Sequence, residues 1–420
     1  MLTADTSLFI RAKRLRRVLI AFAFLLAAIP LLITALQAQT TGPARNPLAE
    51  LRWRFIGPMG NRAVAIAGEP GNPLVDYLGA ASGGVWKTEN GGVDWKPVFD
   101  HEQVSAIGAL AVSQSEPNVV WAGTGETFII RPFYPMGDGV YKSTDSGLSW
   151  QHMGLETTGH IGRVVIDPRD SKHVFVCALG ELFKPSADRG VYRTSDGGKT
   201  WQHSLTVDEK TGCSDLAYDP QDPNTLFAGM WPVLVHPWNL DSGGPGGGVY
   251  VTHDGGNTWH KIVGHGMPAA DHPVGKVAVA VAQSNPNRVY ALVQDTQPSF
   301  YRSDDRGETW TLVSHNHLMM QRDSYYVRFG VSTTDPDRLY FLSPNYVISL
   351  DGGKTFIPPN QDHFSTAGGD NHDIWIDPTN SNRVMVANDA GASIILTGIM
   401  IPRVVRGPLV APGKYTVTVK

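Results

Sequence analysis

Short apolar segments alternate with polar turns along the chain from about residue 51 onwards. One unit shows the order clearly, with apolar segments at 162–167, 173–179 and 190–194 and a fourth segment that begins at Trp201. Residues rich in Pro, Asp and Gly separate the segments. Short segments of this kind, bounded by turn residues, are typical of β-strands rather than helices. The pattern therefore predicts four antiparallel strands in this unit.

A second pattern, Ser/Thr-x-Asp-x-Gly-x-Thr-Trp, lies between the third and fourth segments and recurs about every 50 residues, as in repeat architectures. We expect each acid to accept hydrogen bonds from backbone N–H groups two or three residues on, and the following Gly to adopt a positive φ. The closing aromatic has roughly 150–250 Å² to bury, which predicts a self-contained hairpin staple. The acids, and the Asn that takes their place in the first copy, are therefore predicted to be structural: Asn90, Asp145, Asp196, Asp254, Asp305 and Asp351.

Proline-containing turns recur along the chain as well, so that each unit contains one such turn and one Asp turn. Repeated units of four antiparallel strands are the blades of a β-propeller, so the sequence predicts an all-β, seven-bladed propeller. The predicted blades are 53–98, 104–152, 160–204, 213–263, 273–313, 323–358 and 372–400.

The seventh blade is predicted to be incomplete, because no Asp turn follows Ser393. The propeller is expected to span 51–400, followed by a C-terminal hairpin remnant at 401–420. A ring has no open edge only when it closes. Segments 51–58 and 414–419 are therefore the candidate closing strands.

The meander order also sorts the loops between two faces. The first-to-second and third-to-fourth turns of each blade share one face, so the Pro-containing turns and the Asp turns are expected to lie together. The second-to-third loops and the connections between blades lie on the other face. Long, irregular loops supply most ligand sites, so this second face is the predicted functional face.

At the level of motifs, the six Asp boxes resemble those of sialidase-type and sortilin-type BNR-repeat propellers. The units are also similar to repeats of xyloglucanases and of photosystem II stability/assembly factors. The chain most resembles exported bacterial proteins of the glycosyl hydrolase BNR-repeat or sortilin N-terminal-domain type, which continue past the seventh blade, so this chain is expected to be a truncated relative. The motifs that carry the resemblance are 53–58, 81–88, 123–126, 137–145 and 368–378.

The sequence pattern of the N-terminal segment predicts that the protein is exported from the cytoplasm. Basic residues at 11–17 precede 19 mostly apolar residues at 18–36, and a small residue follows at Ala38, which is typical of a signal peptide over 1–38. The alternative is an uncleaved anchor in the cytoplasmic membrane, since 19 residues can span a bilayer. A polar linker is expected at 39–50. The protein is then secreted or periplasmic, and it meets a membrane only if 18–36 is retained.

The composition and motifs of the chain limit which ligands and partners are expected. The net charge of −4 gives no basic surplus for nucleic acid. No phosphate loop, dinucleotide fingerprint or complete set of metal ligands is found, so neither a cofactor nor a metal is predicted. Cys177 and Cys213 are compatible with either a disulfide, which would stabilise the fold by about 4 kcal/mol, or two buried thiols.

The loops and inner-strand starts of the predicted functional face combine arginines, carboxylates and aromatics. These residue types form aromatic platforms and bidentate guanidinium contacts in sugar and peptide sites. The candidate ligand-binding residues are Arg62, Arg131, Tyr134, His160, Arg163, Trp231, Trp238, Arg328 and His372. The candidate catalytic carboxylates are Glu126, Asp138, Asp370 and Asp373.

Two functional hypotheses follow. The first is a binding or scaffold module for extracellular carbohydrate or peptide on the face opposite the Asp boxes, because no complete catalytic signature is present. The alternative is a glycoside hydrolase, which needs two carboxyl groups about 5–10 Å apart at the propeller mouth. An assembly chaperone is a third possibility that the resemblance implies, without a motif specific to it.

Overall fold

The computed structural model describes residues 62–128, 134–357 and 369–396. Its strands form seven antiparallel sheets in chain order, so the predicted all-β, seven-bladed propeller is confirmed. Helical structure in this part of the chain is limited to the 3-10 turns Glu156–Thr158 and His317–Met319. The predicted leader, linker, closing strands and C-terminal hairpin, together with Arg131, lie outside the described residues. No helix within those residues is long and apolar enough to cross a membrane.

Blades one to three each contain four strands. They are β1 Ala63–Gly68, β2 Asp76–Ala80, β3 Val85–Thr88 and β4 Lys96–Pro97; β5 Ile107–Val112, β6 Val120–Thr124, β7 Val140–Ser143 and β8 Gln151–His152; and β9 Ile161–Asp167, β10 Asp170–Ala178, β11 Gly190–Thr194 and β12 Gln202–Leu205. In each blade the first strand is innermost and the last is at the rim.

Blade four has an additional strand, β15, paired to the extended end of β14, and blades six and seven have three strands each within the described residues. Blade four contains β13 Thr211–Tyr218, β14 Leu226–Val235, β15 Leu240–Ser242, β16 Gly248–Thr252 and β17 His260–Lys261. Blade five contains β18 Val277–Val281, β19 Val289–Val293, β20 Ser299–Ser303 and β21 Thr311–Ser314. Blade six contains β22 Phe329–Val331, β23 Leu339–Leu342 and β24 Tyr346–Ser349, and blade seven contains β25 Asn371–Asp377, β26 Asn380–Asn388 and β27 Gly391–Leu396. In blade six a single bridge, Ile348 to Ile357, takes the place of the fourth strand.

The ring closes by packing between its first and last blades. Each innermost strand contacts the next around the ring, and β25 and β26 of blade seven pack against β1 of blade one. The backbone N–H of Ile66 donates to Asp373 Oδ2 at 3.2 Å, and Nδ1 of His372 lies 2.8 Å from the Ala63 carbonyl oxygen. Closure in this part of the chain therefore comes from side-by-side packing and hydrogen bonds between blades.

The Asp-box turns have the structural role predicted for them. In the third box, Asp196 accepts hydrogen bonds from Thr194 Oγ1 at 2.8 Å and from the backbone N–H of Thr200 at 3.0 Å. The backbone N–H bond therefore comes mainly from four residues on, rather than two or three as predicted. The Thr200 hydroxyl also donates to Asp196 at 2.7 Å, and these hydrogen bonds lower the pKa of Asp196, that of the hydroxyl contributing most. Gly197 has a φ of 75°, in the region where glycine has no steric cost.

Hydrogen bonds confirm that the Asp turns and Pro-containing turns share a face. In blades one to six, a backbone N–H of the Asp turn donates to a carbonyl of the first-to-second turn of the same blade at 2.9–3.0 Å. In blade three, for example, Gly197 donates to Lys172 at 3.0 Å. We call this side of the ring the Asp-box face and the other side the loop face.

Trp150 and Trp201 do more than fasten their own hairpins, which corrects the prediction of a self-contained staple, whereas the Trp310 indole donates to Gly307 of its own box. Trp150 of blade two donates from Nε1 to the Val98 carbonyl of blade one at 2.8 Å, and Trp201 of blade three donates to the Met153 carbonyl of blade two at 2.7 Å. Each ring packs in the core between two blades. The larger apolar surface available there explains why the aromatic turns toward its neighbour.

Cys177 and Cys213 form a disulfide, which decides between the two alternatives left open by the sequence. The bond connects β10 of blade three to β13 of blade four and is buried.

Candidate functional site

A cavity of about 410 Å³ occupies the centre of the ring on the Asp-box face, and both aliphatic and polar groups line it. Its walls come from the second halves of the innermost strands, which lead into the Pro-containing turns on that face. Gln283 and Thr333 of those turns form part of its rim. The half-buried wall side chains are Val112, Val165, Tyr218, Val281, Val331, Trp375 and Ile376.

A network of two arginines and two aspartates crosses the ring at the floor of this cavity. Arg163 donates from Nε to Asp215 at 2.9 Å and from Nη1 to Asp373 at 3.1 Å. Arg328 donates from Nη1 to Asp215 at 2.8 Å, and its Nε lies 3.9 Å from Asp373. The four residues belong to blades three, four, six and seven. The network therefore connects blades that are far apart in the chain, and its formal charge is zero.

The charges in this network support one another. Burial opposes ionisation of Asp215, but Arg328 and Arg163 outweigh it and lower the pKa of that carboxyl. Burial likewise opposes the charge of Arg163, and Asp215 and Asp373 outweigh it, so the pKa of this guanidinium is raised. The pKa of Arg328 is lowered, by burial and by the nearby Arg163, although its guanidinium keeps its charge. Asp215 is thus held as a carboxylate, not as an acid that could donate a proton.

A second cluster lies nearer the loop face. Arg62 forms an ion pair with Glu126 and donates from Nη1 to Tyr325 Oη at 3.1 Å. The Tyr325 hydroxyl lies 3.1 Å from Nε2 of His372. Because Nδ1 of His372 faces the Ala63 carbonyl, Nδ1 carries the proton and Nε2 accepts from Tyr325. Burial lowers the pKa of His372 to about 3, so this histidine is neutral.

Lys276 is buried between the two clusters. Its ammonium lies 5.1 Å from the ring centres of both Phe128 and Trp231, and it donates to the Tyr325 carbonyl at 3.4 Å. Burial, followed by repulsion from Arg328, lowers the pKa of Lys276 to about 7, and Asp215 opposes this shift.

The remaining predicted binding residues are distributed separately. His160 is buried against the Gly180 carbonyl at 3.0 Å, and burial lowers its pKa to about 4. Tyr134 and Trp231 pack in one apolar cluster with Leu182 and Val233. Trp231 also donates to Ser242 Oγ at 2.8 Å. These three predicted ligand residues are therefore buried in the described structure.

Trp238 differs from the others because 80% of it is exposed. It lies in the loop between β14 and β15, on the loop face. The His236 ring stacks on it with ring centres 5.4 Å apart and planes 11° apart. His236 in turn is fixed by a 3.0 Å contact with Asp241, which also accepts from Asn239. An exposed indole thus stacks on an imidazole that is itself held by a carboxylate.

The four candidate catalytic carboxylates do not come together as a free pair in the described structure. Glu126 is paired with Arg62, and Asp373 is held by Arg163 and Arg328. Asp138 accepts from the Tyr141 hydroxyl at 2.8 Å, and its backbone N–H donates to Thr124. Asp370 is half-buried and has a φ of 49°.

Sequence reasoning missed Tyr325, Phe128 and the apolar walls of the cavity. Tyr325 lies shortly before β22, as Lys276 lies before β18, and this shared position next to an innermost strand was the available signal. The cavity walls could also have been predicted, because the sequence of the innermost strands is apolar on both faces near the strand ends. No group of three or more potential metal ligands occurs among the residues that the structure describes.

Comparisons with known proteins confirm the resemblance. The Sortilin-Vps10 family model (sortilin, neurotensin receptor 3) matches residues 138–262, and the BNR/Asp-box repeat model matches 301–312. A xyloglucanase from Paenibacillus sp. is 27% identical over 62% of this chain and 25% of its own length. An oligoxyloglucan-reducing end-specific xyloglucanase from Emericella nidulans is 25% identical over 52% of this chain and 32% of its own. The chain therefore spans about a quarter to a third of these curated relatives.

Solved structures show the same fold. YCF48 bound to D1 peptide superposes with a TM-score of 0.54 at 15% identity, covering 83% of this chain and 99% of that one. The extracellular domain of a hybrid two-component system from B. thetaiotaomicron gives a TM-score of 0.51 at 14% identity, covering 81% and 40%. At these identities the likeness concerns the fold alone.

Proposed function

We propose that this chain is an exported carbohydrate-binding propeller that holds its ligand on the loop face without hydrolysing it. The observation that carries the proposal is Trp238, an exposed indole that stacks on His236, which in turn contacts Asp241. A flat apolar ring with a polar edge is suited to stacking against the face of a sugar, and a ring that already stacks on a neighbour loses little conformational entropy on binding. The similarity to xyloglucanases supports a glucan as the ligand.

The carboxylates support binding rather than hydrolysis. A glycoside hydrolase needs one carboxyl group that gives up a proton and a second that acts as base or nucleophile. Glu126 and Asp373 are instead neutralised by arginine, and Asp138 accepts a hydrogen bond from Tyr141. Asp370 in turn interacts with the Tyr326 hydroxyl, so none of the four carboxylates is set beside another as an acid–base pair.

Binding is tested by isothermal titration calorimetry of the full chain with xyloglucan oligosaccharides and a panel of other β-glucan oligosaccharides. We expect Trp238→Ala to weaken binding at least tenfold, or about 1.4 kcal/mol. The matched control is Leu148→Ala, which removes another exposed apolar side chain, this one on the Asp-box face, and should leave affinity unchanged. Folded wild-type protein that binds none of the glycans would refute the carbohydrate proposal.

A reducing-sugar assay on the same glycans addresses hydrolysis. We expect no release by wild-type protein. Release that disappears in Asp370→Asn or Glu126→Gln would establish the glycoside hydrolase instead. If peptides bind where glycans do not, the ligand class is peptide.

Export is supported by the Cys177–Cys213 disulfide, since disulfides persist mainly in oxidising compartments, and by the basic and apolar N-terminal segments. Expression with the native N-terminus in a Gram-negative host should give a soluble periplasmic or secreted product that lacks about 38 residues by mass. Recovery of the full-length mass in the membrane fraction would establish the anchored alternative.

A further inference from the structure

The central cavity on the Asp-box face has an apolar wall that the proposed carbohydrate site does not use. Half-buried aliphatic and aromatic side chains from the innermost strands face it, among them Val112, Val165, Val281, Val331 and Ile376. Its volume of about 410 Å³ lies in the usual range of small-molecule sites, about 300–1,000 Å³. Each Å² of apolar wall covered by a ligand contributes about 25 cal/mol.

The rim gives few free hydrogen-bonding groups to a sugar. Gln283 donates from Nε2 to the Pro378 carbonyl at 3.2 Å, and Thr333 donates to the Asp377 carbonyl at 3.4 Å. These two polar rim side chains are thus already engaged with carbonyl groups of blade seven. The wall therefore favours a ligand with an apolar body.

The floor of the cavity has unused hydrogen-bond donors on Arg163. Arg163 lines the cavity, and its side chain is 20% exposed. Its Nε and Nη1 groups are held by Asp215 and Asp373, whereas Nη2 has no acceptor among the described residues. A fixed guanidinium with a free N–H group is suited to a ligand carboxylate, since charge-assisted hydrogen bonds are the strong ones.

The buried charges behind the cavity floor also favour an anion, although Lys276 itself does not line the cavity. Arg163 and Arg328 balance Asp215 and Asp373, and Lys276 adds a cation that has no carboxylate partner among the described residues. Its charge interacts with Arg328 and Asp215, which shows that it is electrostatically coupled to the network. A ligand carboxylate on Arg163 would offset this excess positive charge.

We propose that the cavity binds an unbranched aliphatic carboxylate of medium chain length. Its carboxylate accepts hydrogen bonds from Arg163 at the floor, and its alkyl chain lies along the apolar wall toward the Asp-box face. This site lies on the Asp-box side of the Arg–Asp network, whereas Trp238 is on the loop face. The two sites are therefore independent.

The test is calorimetric titration of the full chain with sodium decanoate below its micelle concentration. Three comparison ligands are titrated in the same way. Decanol has the same alkyl chain without a charge, decyltrimethylammonium has the chain with a positive charge, and acetate has the carboxylate without the long chain. We expect decanoate to bind at least tenfold more tightly than decanol and decyltrimethylammonium, and acetate to give no measurable heat. Equal affinity for decanoate and decyltrimethylammonium would overturn the proposal.

Variants locate the site. Val331→Glu places a like charge in the wall and should weaken decanoate binding at least tenfold. Its control, Leu312→Glu, changes an exposed apolar residue on the outer strand β21 and should have no effect. Unchanged affinity in folded Val331→Glu would contradict the assignment.

The role of the guanidinium is tested with Arg163→Met, which should remove the preference for decanoate over decanol. Arg163→Lys is the second variant if the first fails to fold, because it retains a charge for Asp215 and Asp373 and should reduce the preference. An unchanged preference in either folded variant would overturn the role of Arg163. Decanoate binding is also measured with Trp238→Ala, which should bind as wild type does. Loss of decanoate binding there would show that the two sites are one.

Discussion

The guanidinium of Arg383 in blade seven forms an ion pair with the carboxylate of Asp76 in blade one. Both side chains are buried, and Arg383 also donates from Nη1 to Asp377 at 3.0 Å. Burial raises the pKa of Asp76 to about 7 despite the attraction of Arg383. The guanidinium lies 5.0 Å from the centre of the Trp375 ring, which packs where Gly68 has no side chain. The last and first blades thus meet through a buried polar contact surrounded by tight packing.

Arg383→Met is expected to cost about 3–5 kcal/mol in the free energy of unfolding. The reason is that the substitution removes one partner of a buried pair and leaves Asp76 and Asp377 without their cation. Urea denaturation followed by fluorescence measures the loss. The control, Arg288→Met, removes an arginine whose partners Asp304 and Asp337 are largely exposed, and should cost about 1 kcal/mol or less. Equal losses would show that the blade-seven contact has no special role in closing the ring.

The disulfide is expected to contribute about 4 kcal/mol, because it closes a loop with a sequence separation of 36 residues between neighbouring blades. The double variant Cys177→Ala/Cys213→Ala should be less stable than oxidised wild type by about this amount. Reductant should bring wild type close to the variant and leave the variant unchanged. A wild-type stability that does not respond to complete reduction would contradict this assignment.

The architecture was predictable because each blade repeats a local chemistry. The hydrogen bonds of Asp196 stay within four residues, so the motif in the sequence already contains the interaction. The sorting of turns between two faces followed from strand order alone, and bonds such as Gly197 to Lys172 confirm it.

Interactions between blades were not predictable in the same way. Arg383 and Asp76 are separated by 307 residues, and neither stands in a motif that indicates the other. The Trp201 side chain turns to the preceding blade because more apolar surface is available there, which a repeat pattern does not reveal. In the candidate site, too, several residues could be predicted from the sequence but their contacts between blades could not. The sequence identified Arg163, Arg328 and Asp373 near the ring centre, but not that they neutralise one another around Asp215.

Gly108→Ala is expected to cost about 3 kcal/mol or more in the free energy of unfolding. A Cβ atom at this position of β5 would lie 2.2 Å from the Gly125 carbonyl oxygen and 2.3 Å from that of Ile161 in the next blade. Since both neighbours are backbone atoms, the strands themselves must move apart. The control, Gly330→Ala in β22, meets only side-chain methyl groups, Ile374 Cγ2 at 3.1 Å and Ile376 Cδ1 at 3.2 Å, and should cost much less. Thermal and urea denaturation of the two variants should separate them; similar stabilities would argue against tight packing between blades two and three.

Lys276→Met is expected to stabilise the protein most at low pH. In the folded state the pKa of Lys276 falls from 10.5 to about 7, because of burial and the nearby Arg328, with Asp215 opposing. Between pH 7 and 10.5 the unfolded chain therefore binds more protons at this residue than the folded chain does, and the stability of wild type rises with pH. Below pH 7 both states bind the proton, and the cost of the buried charge is present in full. The advantage of Lys276→Met should thus be greatest below pH 7 and shrink by up to about 1.4 kcal/mol per pH unit above it.

Urea denaturation at several pH values from 6 to 9.5 measures this difference directly, and subtracting the variant from wild type removes the titration of all other groups. The control, Lys354→Met, changes an exposed lysine in an Asp box and should give a small difference that does not vary with pH. A stability difference between wild type and Lys276→Met that does not vary with pH would mean that the folded protein stabilises the charged ammonium as well as water does.

The same pH series in the presence of decanoate tests the link between Lys276 and the proposed cavity site. An anion on Arg163 favours the charged form of Lys276, so saturating decanoate should move the pH dependence of wild-type stability to higher pH, whereas the stability of Lys276→Met should rise by the same amount at every pH.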